Sequence, residues 1–364
     1  MRVILSVIND LVRDQRVHRI ASSLQEAGYD VLVIGREKRS SLPLASRNYK
    51  THRMKLFFEK GKLFYIEYMF RLFWALLFRK ADILNANDLD TLLPNYWVAR
   101  IKGVRLIFDS HELFTEVPEL IERPQTRAVW LRLEQWLFPK LQTAYTVNPS
   151  LARIFTEKYK VPVQVIQNLP LPKTPPLNTK DINQKILLYQ GSLNIGRGIE
   201  LMIQTMHHLP QEIHLWIAGG GDIEGELKQL VQQEKLMTRV TFKGLIPFES
   251  LHLVTQQASI GFSLEEDRGA NYHYASPNKV VDYVQSHVPC IVADLPEMRR
   301  VVEQYHIGDI LPNSNRTPQQ LANKVLTLLE PSVYQEKVAA CKVAAQVLNW
   351  EIERKKLLQI YAEG

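Results

Sequence analysis

Short apolar runs rich in Val and Ile alternate along the chain with longer stretches whose apolar positions recur every three to four residues. Runs of four to eight such residues predict strands, and the longer periodic stretches predict helices. In the first half, strands are expected at Val3–Ile8, Val31–Gly35, Asp82–Asn87, Arg105–Ser110, Ala144–Asn148 and Val163–Asn168. Helices fall between them, the first from about Asp14 to Gly28. In the second half, strands are expected at Ile186–Gly191, His214–Gly219, Val240–Gly244, Ser259–Leu264, Cys290–Ala293 and Asp309–Leu311. Continuous apolar strands alternating with helices make parallel sheets covered on both faces. The stretch NLPLPKTPPLNTKDINQK, Asn168–Lys185, is Pro-rich and polar and reads as a linker. The pattern therefore predicts an α/β protein with two Rossmann-like parallel-sheet domains, 1–168 and 186–345. They are joined by 169–185 and followed by a helical stretch at 346–364. Ligands bind beyond the carboxyl ends of such strands, so two of these domains facing a cleft would carry their site residues at strand ends.

Composition adds little to this picture but removes several classes. At 364 residues, 46% apolar and 23% charged, the chain has ample core and is not disordered. The net charge of +7 suits an anionic partner such as a phosphate-bearing ligand or an acidic lipid surface. No RNA-binding signature, zinc-finger spacing or dense basic run points to nucleic acid. Two cysteines, Cys290 and Cys341, make no disulfide framework, which implies a reducing, cytoplasmic setting. The opening MRVILSVINDLVRDQ turns polar too early for a signal peptide, and no apolar run is long enough to span a bilayer. The segment Met54–Lys80 is crowded with aromatics and leucines among Lys and Arg. It reads either as a helix packed on the sheet with snorkelling basic residues, or as a face for an anionic membrane, and both can hold.

Four clusters carry candidate chemistry. YQGSLNIGRGIE, Tyr189–Glu200, ends a strand at Gly191 and opens a helix after Arg197-Gly198. A strand-end glycine allows close approach to a ligand, and a helix start offers free N–H groups to a phosphate, although such turns also occur for steric reasons alone. IAGGGDIEGELKQL places Gly219–Gly221 after another strand, with Asp222 placed to cap the next helix. There a plain tight turn competes with ligand contact. In NYHYASPNKVVDYVQSHVPCI, Ser276-Pro277 sets a helix start from which Asn278 and Lys279 project, and Asp282 follows on the face of Lys279. An anion site with a carboxylate one turn on suits a diphosphate and a ribose; a Lys279–Asp282 surface pair is the plainer alternative. IFDSHELFTEVPEL puts His111 at a strand end between Asp109 and Glu112, which could orient the ring or tune its pKa. Just before it, Asn87 and Asp88 read as caps of the following helix rather than as metal ligands.

With these residues assembled, the chain resembles a glycosyltransferase of the GT-B fold, similar to the large retaining family four. The likeness runs through NDLVRDQRVHRIASSLQEAGYDVLVIG, FDSHE, YTVNPSLARIF, VIQNLP, YQGSLNIGRGIELMI, GLIPFESLHLVTQQASIGFSL and SPNKVVDYVQSHVPCIVAD to the terminal LNWEIERKKLLQIYAEG. The resemblance implies a nucleotide-diphosphate sugar of UDP or GDP type on the second domain. It implies a glycan or lipid-linked acceptor on the first, and a last helix that crosses back to the first domain. It implies retention of configuration with neither metal nor cofactor. By carry-over, Arg197 stands at the family's phosphate-binding Lys, Lys279 contacts phosphate, Asp282 holds ribose and His111 lies near the donor sugar. Gly191, Ser192, Gly219, Asn271, Tyr272, Ser276 and Asn278 complete the expected donor side, and Asp10, Arg13 and Glu112 the acceptor side. The departures are Ser192 in place of the usual Arg, Tyr274 in place of the first Glu of the Glu-x7-Glu pair, and no Gly-Gly in INDLVRDQR. Two alternatives share the fold: a nucleotide-sugar 2-epimerase and a degenerate, non-catalytic binding protein. A nicotinamide dehydrogenase is disfavoured, because no G-x-G-x-x-G follows the first strand.

Overall fold

Val3, Ile4, Leu5 and Val7 are all but fully buried, as a strand covered on both faces requires. They belong to β1 (Arg2–Asp10), an interior strand of a parallel sheet with β2 (Asp30–Glu37), β3 (Lys50–Lys55), β4 (Ile83–Asn87), β5 (Arg105–Ser110), β6 (Thr143–Thr146) and β7 (Val163–Val165). The strand order is β3-β2-β1-β4-β5-β6-β7. The computed structural model describes residues 1–12, 14–172, 185–276 and 278–363. Strand β3 has no counterpart among the expected strands. It is the edge strand, and of KTHRMK only Met54 is buried, so no apolar run announces it.

The first helix, α1 (Gln15–Glu26), starts where Asp14 accepts the Val17 N–H at 3.0 Å. Helix α2 (Gly61–Leu77) buries Phe64, Tyr68, Leu72 and Leu76, one residue per turn, and the Tyr68 hydroxyl donates to the Val7 carbonyl at 2.7 Å. Helix α3 (Leu89–Lys102) follows β4 and ends at Gly103 in the left-handed conformation.

The second sheet contains β8 (Lys185–Gln190), β9 (Ile213–Ala218), β10 (Val240–Gly244), β11 (Ile260–Ser263), β12 (Cys290–Ala293) and β13 (Gly308–Leu311). Its order is β10-β9-β8-β11-β12-β13, again all parallel. Alternate residues of β8 feed two cores: Leu187 and Tyr189 enter one and Leu188 the other. The inner run ILLY is apolar throughout because both its faces are covered.

The chain divides into two units, Met1–Asn168 with Glu353–Gly364, and Leu169–Ile352. Two details depart from the expected boundaries. Leu169 is buried in the second unit's core and Pro170 accepts the Trp350 N–H at 2.8 Å, so the stretch expected as linker begins inside that unit. The rest of it, residues 173–184, lies outside the described residues. Residues 346–352 also go with the second unit, and only the remainder of the last helix (Trp350–Ala362) goes with the first. There Arg105 donates to the Ile360 carbonyl at 2.7 Å.

Candidate active site

In the second sheet, chain order reverses between β8 and β11: β9 and β10 continue on one side, β12 and β13 on the other. Such a switch point opens a crevice at the carboxyl ends of the two strands, where α/β sheets bind ligands. Gly191 directly follows β8 and Gly219 directly follows β9. The two strand ends approach so closely that a Cβ on Gly219 would lie 1.9 Å from the Gly191 carbonyl oxygen. Glycine at 219 is thus demanded by packing.

The space over Gly191 belongs to Lys279. A Cβ on Gly191 would meet the Lys279 Cε at 3.5 Å, and the ammonium lies 4.7 Å from the Tyr189 ring centroid. Lys279 projects from the first turn of the helix Asn278–Gln285 and is 9% exposed. Its ammonium donates to Oε1 of Glu265, a carboxylate that is 1% exposed. The Arg197 guanidinium approaches the same oxygen, with Nη1 at 3.7 Å. The other Glu265 oxygen accepts from Ser263 Oγ at 2.8 Å, and Arg316 holds the backbone by donating to the Leu264 and Glu265 carbonyls at 2.6 and 2.9 Å. Arg197 also lies 5.5 Å from the Tyr272 ring centroid, and its Nε is buried with no hydrogen-bond partner among the described residues.

Burial pushes the Lys279 ammonium below its ordinary pKa, and the attraction of Glu265 recovers only part of the loss. Burial would raise the Glu265 carboxyl, but Lys279 and the hydrogen bonds from Lys279 and Ser263 outweigh it and hold Glu265 low. The cluster is an ion triad with two cations and one carboxylate. A buried donor on Arg197 remains to be satisfied, which is what an arriving anion supplies.

The structure therefore brings Gly191, Arg197, Tyr272 and Lys279 together. Ser192 is exposed beside them, its carbonyl accepting from the Tyr189 hydroxyl at 2.7 Å. Ser276 and Asn278 are exposed at the start of the Lys279 helix, and Pro277 lies outside the described residues. Asn271 shares the short helix Ala270–His273 with Tyr272. Asp282, 8% exposed, receives Gln190 Nε2 at 3.4 Å at the end of β8. The plainer Lys279–Asp282 surface pair is not what forms: both residues are buried and Lys279 turns to Glu265. Asp222 does not cap its helix, which starts at Glu224 with Ile223 at the cap position. Glu265 is the main residue the sequence reading missed. Its one signal was a carboxylate two residues past an apolar strand.

The first unit holds a second charged cluster. His111 is clasped on both sides: Nδ1 lies 3.0 Å from Asp88 Oδ2 and Nε2 lies 3.1 Å from Asp109 Oδ2. Its backbone N–H also donates to Asp88 at 2.8 Å. Burial alone would favour the neutral ring, but Asp88 and Asp109 hold its pKa well above the ordinary value. With both ring nitrogens held by carboxylates, the site favours the imidazolium form over a poised base. Arg16, absent from the sequence reading, grips fully buried Asp109 with Nη2 at 2.8 Å and Nε at 3.1 Å, and donates to the Ile166 carbonyl at 2.9 Å. Asp88 stands before α3 at φ 62° with its side chain on His111 and makes no capping bond, so the expected capping role is wrong. Asn87 instead donates to the Ser6 carbonyl at 2.9 Å. Of the expected acceptor-side residues, Asp10 ends β1 and pairs with Arg53 at 3.2 Å and with the Ser41 hydroxyl. Glu112 follows His111, its carbonyl accepting from Ser110 Oγ at 3.1 Å, and Arg13 lies outside the described residues. Among the described residues, no group of three or more His, Cys, Asp or Glu could hold a metal ion.

Comparison with known proteins follows the division of the chain. Residues 14–169 match the family described as Glycosyltransferase Family 4, and residues 184–331 match Glycosyl transferases group 1. No curated protein matches in sequence. Among solved structures, a sucrose-phosphate synthase from Thermosynechococcus elongatus is 18% identical with a TM-score of 0.82, the match covering all of this chain and 98% of the other. HepE from Anabaena, in complex with UDP and glucose, is 15% identical with a TM-score of 0.76 and full coverage of both chains. A lipopolysaccharide outer core galactosyltransferase, WaaB, is 11% identical with a TM-score of 0.70, covering all of this chain and 99% of the other. At these identities the likeness is one of fold.

Proposed function

Because the chain belongs to the GT-B glycosyltransferases of the family-four type, we propose that its second unit binds a nucleotide-diphosphate sugar of UDP or GDP type, whose sugar passes to a glycan or lipid-linked acceptor. The reading extends to retention of configuration, to an acceptor presented at an anionic membrane surface, and to bacterial surface polysaccharide or glycolipid assembly. One observation carries it: Arg197 and Lys279 converge on a single buried carboxylate oxygen at the switch point of the second sheet. The HepE complex, which contains UDP, supports a uridine nucleotide.

Cleaving the bond between sugar and phosphate builds negative charge on the leaving diphosphate. Lys279, Arg197 and the first-turn amides of the Asn278–Gln285 helix are fixed cationic or dipolar groups for that charge. They are already oriented, so little reorganisation is needed as the charge develops. Asp282, one turn deeper on the same helix, takes the ribose hydroxyls. Asn271 and Tyr272 lie toward the sugar. His111, already protonated and doubly held, contributes a fixed positive charge and hydrogen-bond geometry rather than proton abstraction.

Thermal-shift titration with UDP, GDP, ADP and TDP tests the donor site. One nucleotide should raise the melting temperature of the wild type, and Lys279→Ala should bind it at least tenfold more weakly while keeping its fold. In transfer assays the same variant should lose about 10²–10³ in kcat, the usual effect of removing one charge-stabilising donor. Full activity in Lys279→Ala would remove the phosphate role. A nucleotide sugar altered at C2 without any acceptor would indicate the epimerase instead.

A further inference from the structure

Helix α2 is apolar on the side that should be polar. Its buried stripe of Phe64, Tyr68, Leu72 and Leu76 faces the sheet. On the other side stand Leu63, Ile66, Phe70 and Trp74, with Phe78 just past the end, between 41% and 80% exposed. A surface helix of a globular domain carries charged residues there. The rings form a continuous array, with Phe70 6.1 Å from Trp74 and Trp74 stacked on Phe78 at 5.6 Å. Helix α3 adds the exposed Trp97 and Ile101, and Phe73 meets Trp97 edge-on at 6.4 Å. Between the two helices runs a groove of about 340 Å³, lined by Met69, Phe70, Phe73 and Trp74 from one and Leu93, Pro94 and Trp97 from the other. That volume lies at the lower end of small-molecule sites, and no charged side chain lines it.

What surrounds the groove identifies its occupant. Residues 54–80 contain six Lys or Arg against two Glu. Glu67 is already committed: it accepts the Phe57 and Phe58 N–H groups at 2.9 Å and Arg71 at 2.8 Å. It thereby ties two more exposed aromatics to the same helix. Lys60 and Lys62 remain exposed at the start of this helix. Apposing two copies of the chain here would bring like charges together. An anionic bilayer offers opposite charge at the rim and hydrocarbon, which has no polar groups to satisfy, at the centre.

We propose that the α2–α3 groove seats acyl chains of anionic bilayer lipids, with α2 lying in the plane of the leaflet's interface. This rests on the membrane-surface part of the functional reading and gives it a site. Trp74 and Trp97 then sit at acyl depth, with Lys60 and Lys62 among the headgroups.

The test uses the full chain and phosphatidylglycerol vesicles with or without bromine on the acyl chains. The protein should sediment with anionic vesicles and not with phosphatidylcholine alone, and brominated chains should quench its tryptophan fluorescence. The double variant Trp74→Phe, Trp97→Phe should sediment equally but lose most of the quenching. The pair Lys60→Glu, Lys62→Glu should bind vesicles at least tenfold more weakly, with its nucleotide-induced thermal shift intact as evidence of folding. No sedimentation would overturn the membrane reading and the groove together. Sedimentation without acyl-chain quenching would overturn the groove alone and leave a purely electrostatic surface. A stable dimer that Phe70→Lys dissociates, and that vesicles do not compete with, would make this face a protein interface and overturn the proposal.

Discussion

Glu265 poses the question that a single residue can answer: why the site proposed for a diphosphate should bury a carboxylate. Lys279 is almost fully buried, and burial disfavours its charged form. Glu265 counters that loss, keeping the ammonium protonated and aimed over Gly191. In Glu265→Gln the countering attraction disappears and the Lys279 pKa falls further. Nucleotide binding should then be lost at a lower pH on the alkaline side, while affinity near neutrality stays equal or rises because one repulsive charge is gone. Titrations of both proteins from pH 7 to 10 read this directly; superimposable alkaline limbs would dismiss the role. His111 invites a similar experiment in the first unit. Burial would raise the Asp109 carboxyl, but Arg16 and His111 together hold it down to about 2. Its folded-state pKa lies below its unfolded one, so its stabilisation is complete above pH 4 and lost as pH falls toward 2, in all on the order of 2 kcal/mol. His111 is shifted the other way, and its contribution persists below its ordinary value and fades as pH rises through the raised one. His111→Gln should lower the urea midpoint at neutral pH and flatten the fall in stability between pH 4 and 2. An acid slope unchanged from wild type would show that the pair is not coupled.

At the scale of elements, the ends of strands carry the design. The Gly219 position has φ 145°, and any side chain there would collide with the Gly191 carbonyl. Gly219→Ala should cost about 1–3 kcal/mol and displace the β8 end that underlies Lys279. Its nucleotide affinity should therefore fall with its stability, whereas Gly225→Ala, with open space around it, should change neither much. Equal effects of the two would mean that strand-end packing does not position the site. Among the described residues, apolar pattern located twelve of the thirteen strands to within a few residues, because both sheets are parallel and covered. It passed over β3 because an edge strand with one buried side chain has no pattern to detect. Helix α2 was legible as apolar, but its sequence left open whether the aromatics faced inward or outward. One stripe is buried, as the packed-helix reading expects, and another is exposed.

At the scale of the whole molecule, two units with separate sheets divide the chemistry. The Lys279–Glu265–Arg197 cluster lies wholly within Leu169–Ile352 and the His111 cluster wholly within the unit that begins at Met1. Hydrogen exchange with saturating nucleotide should slow most at 191–198, 264–272 and 278–285. The strands of the first sheet should respond least. Strongest protection around β1 and β2 would place the nucleotide in the wrong unit. No helix among the described residues is long and apolar enough to cross a membrane.

The sequence by itself determined the alternation of strand and helix, the two sheets, and the strand end and helix starts at which Gly191, Arg197 and Lys279 would lie. These are local properties: apolar periodicity, glycine at a strand end, and a helix start marked by Ser276-Pro277. Only the tertiary structure decided which charges meet. Lys279 and Glu265 are fourteen residues apart, and Arg16 and Asp109 ninety-three. No spacing rule pairs them, because each contact joins a helix start to a strand or strand end that only the packing of the fold brings beside it. The same cause misled the reading of Asp88 as a cap: beside β5, its carboxylate finds an imidazolium from the neighbouring strand, and an ion pair in a buried setting outweighs a hydrogen bond to a helix end.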